Sequence, residues 1–291
     1  MGLMLGSAVM AIEPAQPCRS NLEKLSAEQK FVMTGAMGTV NAFLGTPFQH
    51  IKNALQNREP IPPAKHLWRG TGLNILRSTP SNLPEVMIMG NADRIIKRAQ
   101  LPIACDTQKG VLAFAAAAPG TVINTIAEQL VMRRKNGGSC YAITKNIMDT
   151  VGAMALLRGF TPKFMRDGIG SFAYWYAAPK LKQEYKKRGA TEAAATIAAG
   201  LSVALPSTII THPFDTVSTA MQTDLHKKTY RNTAQSIVAY TRTHGYKSLF
   251  EGCTPRLASS VIRIPALLGI QDYITGYFIG IKKTKEFHAR N

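Results

Sequence analysis

The stretch THPFDTVSTAMQ, residues 211–222, sets a helix breaker and an acid at the end of a long uncharged run. From Ala193 to Phe214, 22 residues carry no formal charge when histidine is counted neutral. Two more such runs precede it, 21 residues from Phe31 to Ile51 and 18 from Gly110 to Ala127. About 20 predominantly apolar residues cross a bilayer as a helix, so each run reads as a span. Gly, Ala, Ser and Thr outnumber Leu in them, a composition that lets helices pack closely around a polar interior. Three buried helices of a water-soluble protein are the plain alternative, but the runs share an internal grammar that this alternative leaves unexplained.

The grammar appears when the runs are aligned on Pro47, Ile126 and Pro213. One residue earlier stand Thr46, Thr125 and His212, and then, at four-residue steps, Ala42, Thr121 and Thr208; Gly38, Ala117 and Ala204; Thr34, Ala113 and Gly200. Residues four apart share a helix face, so the small side chains form a stripe. Two positions after the anchor come Gln49, Glu128 and Asp215; five after it come Lys52, Val131 and Ser218. The anchors are 79 and then 87 residues apart, which is a threefold repeat. Each unit continues to a glycine step, HLWRG, ALLRG or SLFEG, ending at Gly70, Gly159 and Gly252, and then to a second apolar segment. Arg77, Arg166 and Arg263 lie inside those second segments. An arginine at mid-membrane costs about 2.5–3.5 kcal/mol on insertion scales. It therefore faces a wet interior or snorkels to the surface. Two helices in each of three units make six spans. ITKNIMDTVGAMAL and NTAQSIVAYTRTHG supply short amphipathic helices between the halves of units two and three. In unit one the three prolines of NREPIPPAKH oppose one.

Composition bounds the function. Lys and Arg number 35 against 17 Asp and Glu, a net charge of +18 with a pI near 10.0. Such a balance calls for an anionic partner. The bases are spread along the chain, so anionic membrane lipid is favoured over nucleic acid. The mean hydropathy of −0.04 hides its uneven distribution. Cys18, Cys105, Cys140 and Cys253 are scattered, which reads as free thiols with no metal site. The apolar start lacks the basic residues of a signal peptide, and Gly6 stands where a myristoylation site needs Ser or Thr. No H-E-x-x-H, P-loop or dinucleotide fingerprint occurs, so no enzyme, catalytic residue or cofactor is expected.

These motifs resemble those of the mitochondrial carrier family. PFDTVS with YKSLFEGCTPRL is a close match to its signature in unit three, PFQHIK with LWRG is partial in unit one, and IAEQLV with LLRGFTPKFMR in unit two keeps the acid and the glycine step alone. The resemblance covers about Glu23 to Lys283. It implies an all-α membrane protein of six transmembrane helices, in three pseudo-symmetric repeats around a central cavity, with short matrix-side helices. The units would be a tail over 1–22 and repeats over 23–104, 105–189 and 190–291. It also implies a monomeric, multi-pass exchanger of the mitochondrial inner membrane, in contact with an anionic lipid such as cardiolipin. The degenerate motifs equally fit a copy that an intracellular microbe sends to host mitochondria.

The same resemblance assigns a matrix gate to Pro47, Gln49, Lys52, Gln56, Glu128, Pro213, Asp215, Ser218 and Gln222, with Glu128 meeting Lys52. At the second gate, Asp272 keeps an acid but Thr275 supplies no base. Substrate contact falls seven residues past each glycine, on Arg77, Arg166 and Ser259, with Asp167 beside Arg166 and Arg263 one turn past Ser259. With Lys163 and Arg256 a turn earlier, three to five cations then face one acid. That count favours a small anionic solute, a nucleotide or other phosphorylated anion. The Arg166–Asp167 pair points instead to amino acids or carboxylates, and the lost charges to a transport-dead scaffold.

Overall fold

The computed structural model describes residues 21–56, 60–68, 70–99, 105–133, 139–226 and 229–290, and these hold helices and turns with no strand. In chain order the helices are α1 (Ala27–Gln56), α2 (Thr71–Met89), α3 (Ala92–Ala99), α4 (Cys105–Arg133) and α5 (Cys140–Thr150). They continue with α6 (Phe160–Phe172), one π-helical turn (Ala173–Ala177), α7 (Ala178–Lys187), α8 (Glu192–Thr223), α9 (Thr233–His244) and α10 (Cys253–Arg290). The π turn joins α6 and α7 into one long segment. Packing then runs α1 to α2, α2 to α4, α4 to α6, α6 to α8, α8 to α10 and α10 back to α1. Six long helical segments close into a ring.

The stripe of small residues explains how the ring closes. Thr34, Ala42, Thr46, Ala113, Ala117, Thr121, Thr125, Ala204, Thr208 and His212 are all buried. The threonines satisfy their hydroxyls inside their own helices: Thr46 donates to the Ala42 carbonyl, Thr121 to Ala117 and Thr125 to Thr121. Outside the ring, Phe31, Phe43, Leu76, Val111, Ile197, Ile210 and Ile262 are exposed. Polar side chains inside and large apolar ones outside invert the arrangement of a water-soluble bundle and suit a lipid surround. The fold is an all-α membrane architecture.

Three helical stretches are long and apolar enough to span a bilayer among the described residues: Thr107–Leu130, Glu192–Thr223 and Tyr246–Ile281. Two of them contain the uncharged runs 110–127 and 193–214. The run 31–51 lies inside α1 but is not among the three, since Gly, Thr and Asn dilute its hydropathy. Tyr246–Ile281 takes its place despite Arg256 and Arg263.

The second long helix of each unit, α2, α6 or α10, begins at its glycine step in the left-handed region, with φ of 87° at Gly70, 78° at Gly159 and 78° at Gly252, a conformation that L side chains rarely adopt. α5 and α9 form where amphipathic segments were expected, capped by Ser139 and Asn232. In unit one, the described residues of the corresponding stretch, 60–66, hold a 3₁₀ turn at Ala64–His66. The short α3 was not anticipated. It is held by the ion pair of Asp93 with Lys109, 2.7 Å, and by Glu23, which accepts from the Asp93 backbone N–H at 2.9 Å. Burial raises the Glu23 carboxyl above its ordinary range, offset in part by that N–H.

At Gly120 of α4 the backbone of α2 approaches closely. A Cβ at Gly120 would stand 2.2 Å from the carbonyl oxygen of Ser81, a backbone atom that cannot turn aside. Gly120→Val should therefore destabilise the protein by about 3 kcal/mol or more, at the upper end for overpacking. Thermal unfolding in detergent measures it. Gly269→Ala, whose Cβ meets no atom within 4 Å, should leave the midpoint unchanged or slightly raised, and equal shifts for the two would refute the close approach.

Candidate functional site

The inside of the ring is a polar cavity of about 390 Å³. Its wall carries five cations, Lys52, Arg77, Arg166, Arg256 and Arg263, and four acids, Glu85, Glu128, Asp167 and Asp215. The expected ratio of three to five cations to one acid is therefore corrected to near balance. On α2, Ser78, Ser81, Asn82 and Glu85 follow at steps of three, one and three, and all four line the cavity. That polar stripe inside an apolar segment was the signal that the count overlooked.

Asp215 is the hub of one end. It is 2% exposed and receives Lys52 of α1 at 2.7 Å, Arg256 of α10 at 3.5 Å and the Nη1 of Arg166 from α6 in a close contact. The expected pairing of Glu128 with Lys52 is thus corrected: Lys52 meets the acid of unit three. The reason is the ring order. α1 closes on α10 and α8 lies next to α10, whereas Glu128 projects from α4 toward α6 and α2. Glu128 instead contacts Lys163, which is fully buried, and lies 3.8 Å from Arg77.

The uncharged positions of the expected gate have other partners. Ser218 donates to the carbonyl oxygen of Gly159 at 3.0 Å, so it fastens α8 to the glycine step of unit two. Gln222 is buried, and its backbone carbonyl accepts from Arg133 at 3.1 Å. Gln49 lines the cavity. Pro47 and Pro213 lie inside α1 and α8 without ending them. The side chain of Gln56 lies outside the described residues.

Of the expected contact residues, Arg77, Arg166, Asp167, Ser259 and Arg263 all line the cavity. Arg166 is shared, since its Nε donates to Asp167 Oδ1 at 2.8 Å while its Nη1 reaches Asp215. Asp167 also accepts from the Thr121 hydroxyl at 3.0 Å. Arg263 donates to Asn41 Oδ1 at 3.1 Å. At the other end of the ring, Asp272 does find a base, although Thr275 stands where the expected one would follow it. Lys182 of α7 lies 2.5 Å from Asp272 and 2.5 Å from Glu192. No group of three or more His, Cys, Asp or Glu able to hold a metal occurs among the described residues.

Residues 190–282 match the family described as mitochondrial carrier protein. The chain is 26% identical over 275 residues to a mitochondrial glycine transporter of Candida glabrata, covering 81% of this chain and 91% of that one. It is 30% identical over 116 residues to a mitochondrial glycine transporter of Laccaria bicolor, 38% of this chain and 37% of that one. It is 22% identical over 189 residues to the solute carrier family 25 protein Shawn of Drosophila melanogaster, 61% of this chain and 48% of that one. The match thus spans about half of the Drosophila relative and just over a third of the Laccaria one.

The hub makes an ordered prediction. Asp215→Asn leaves three cations without their common acid, and removing one partner of a buried pair costs about 3–5 kcal/mol. With water in the cavity we expect about 2–3 kcal/mol, a fall in the unfolding midpoint of roughly 5–10 °C. Lys52→Ala leaves Asp215 with two arginines and should cost less than half as much. A thermal-shift series in detergent that gave the reverse order would rule out the hub.

Proposed function

We propose that this chain, a member of the mitochondrial carrier family, moves a small zwitterionic amino acid of about the size of glycine across the mitochondrial inner membrane by alternating access. The observation that carries the reading is the charge balance of the cavity, five cations against four acids. A nucleotide or other phosphorylated anion brings two or more negative charges and needs several cations without partners to receive them. Four of the five cations here already face a carboxylate, so the ground for expecting such a cargo is gone. A zwitterion adds no net charge and suits a wall of mixed sign. The two relatives named as glycine transporters support the same reading.

The geometry also offers a way for cargo to act on the gate. Arg166 divides its guanidinium between Asp167 and Asp215. A substrate carboxylate that draws Arg166 toward itself takes one of three cations from Asp215 and loosens the end that Lys52 holds. Binding then favours the alternative state only as far as the substrate prefers it. A scaffold that had lost transport would have no use for such a shared arginine.

The test is uptake into liposomes containing the purified protein, preloaded in turn with glycine, a larger neutral amino acid, ADP, phosphate and a dicarboxylate. We expect labelled glycine to enter above the protein-free blank, faster when the liposomes are preloaded with glycine, and ADP not to enter. Uptake of ADP or phosphate without any amino acid would overturn the proposal. Arg166→Lys should slow uptake roughly 10-fold or more, because an ammonium cannot form the forked contacts that serve both acids.

A further inference from the structure

Ser171 of α6 stands between two oxygens and has one hydrogen to give. Its Oγ lies 2.5 Å from the backbone carbonyl oxygen of Ala113 on α4 and 2.6 Å from Oε1 of Glu85 on α2. A carbonyl oxygen only accepts, so the hydroxyl donates to Ala113. Both contacts are at the short end of O–H···O distances, and one hydrogen divided between two acceptors would lengthen both. The second contact therefore needs a hydrogen from Glu85. The indole N–H of Trp175 reaches the same Oε1 at 2.5 Å, but that hydrogen fills its own contact and not the one with Ser171. Ser171 and Ala113 are both buried, so the junction is out of reach of bulk water.

The charges around Glu85 agree with this count. Among the described residues no cation pairs with it, and the charge that acts on it is that of another acid, Asp167. The titratable groups that neighbouring helices turn toward α2 or the cavity are held elsewhere. On α1, Lys30 donates to the Gly90 carbonyl and Lys52 meets Asp215. On α4, Lys109 meets Asp93 and Glu128 meets Lys163. On α6 and the π turn, Arg166 meets Asp167 and Tyr174 donates to Gln271. A carboxylate confined without a counter-charge takes up a proton rather than keep its charge. Glu85 also lines the cavity, which gives a proton its way in and out.

We propose that Glu85 binds a proton in this state and donates it to Ser171, tying α2 to α6 and α4, and that the protein moves this proton together with its cargo. When the proton leaves for the cavity, a carboxylate oxygen stands against a hydroxyl that already donates to Ala113, and the junction loosens. Protonation thus favours the arrangement seen here, and release favours another. An ionisable group facing the interior of a membrane bundle is suited to such a relay. The inference goes beyond the cargo reading and leaves it intact. The carboxylates that face the four cations are Glu128, Asp167 and Asp215, so that pairing stands with Glu85 protonated.

The chain has two tryptophans, Trp68 and Trp175. Trp68→Phe leaves Trp175, whose N–H meets Glu85, as the reporter. Its emission in detergent should change sigmoidally with pH. Adding Glu85→Gln should remove that change, because the Gln amide supplies the hydrogen to Ser171 at every pH. Tyr174, with its ring centroid 4.9 Å from that of Trp175, is present in both proteins, so its titration would survive the substitution. Glycine uptake into liposomes should fall roughly 10-fold for each pH unit above the Trp175 midpoint, and uptake by Glu85→Gln should be flat over the same range. A Trp175 titration that persists in Glu85→Gln, or none in the parent, would overturn the proton site. Uptake with the same pH dependence in both proteins would overturn the coupling. If Glu85→Gln does not fold, the parent alone decides: a protonated-carboxyl infrared band should vanish with the Trp175 midpoint, and a spectrum without such a band overturns the site. A protein that takes up no amino acid at any pH would overturn the cargo reading, while the Trp175 titration still decides the proton site.

Discussion

One carboxylate joins the three repeats. Asp215 stands at the end of α8 nearest the surface helices, almost without exposure, and receives a cation from α1, one from α6 and one from α10. A charge so placed is tolerable only because it is shared. The proline and the hydroxyl-rich stripe behind it deliver the acid to the axis; the first two turns of α6 and α10 bring two of the cations, and the end of α1 the third. The two other junctions of the ring are held differently, by the Ser218 hydroxyl on the carbonyl of Gly159 and by Glu128 between Lys163 and Arg77. A sequence with a threefold repeat thus folds into a ring whose three junctions are held in three different ways.

Much of the architecture was legible. The four-residue spacing of small residues, the glycine steps and the uncharged runs follow from how helices pack and start, and those constraints are local. Helix α1 shows the limit of counting charges: its run is uncharged yet not apolar enough to qualify as a span on composition. The π turn and α3 were illegible, because neither leaves a periodic mark of its own.

Within the site, the residues on the wall were legible and their pairings were not. Arg77, Arg166, Ser259 and Arg263 could be placed by register alone, since a helix fixes which way each side chain points. Pairing depends on which helix neighbours which, and that is decided by closure of the whole ring. Hence Lys52 was assigned to Glu128 although it meets Asp215. Lys182 shows the same limit at the far end, because its acids come from two other helices. Glu85 differs from these. The stripe of Ser78, Ser81, Asn82 and Glu85 is present in the sequence, and its acid brings the wall charges near balance, the feature on which the proposed cargo rests.

The π turn at Ala173–Ala177 sets the phase of α7 against α6. A single π turn within a helix holds one residue more than the α-helical path would need. Removing that residue would rotate everything beyond it by about 100°. Lys182 would then leave Asp272 and Glu192, and Trp175 would leave Glu85. The extra residue thus lets α6 serve Asp215 at one end while α7 meets Glu192 and Asp272 at the other.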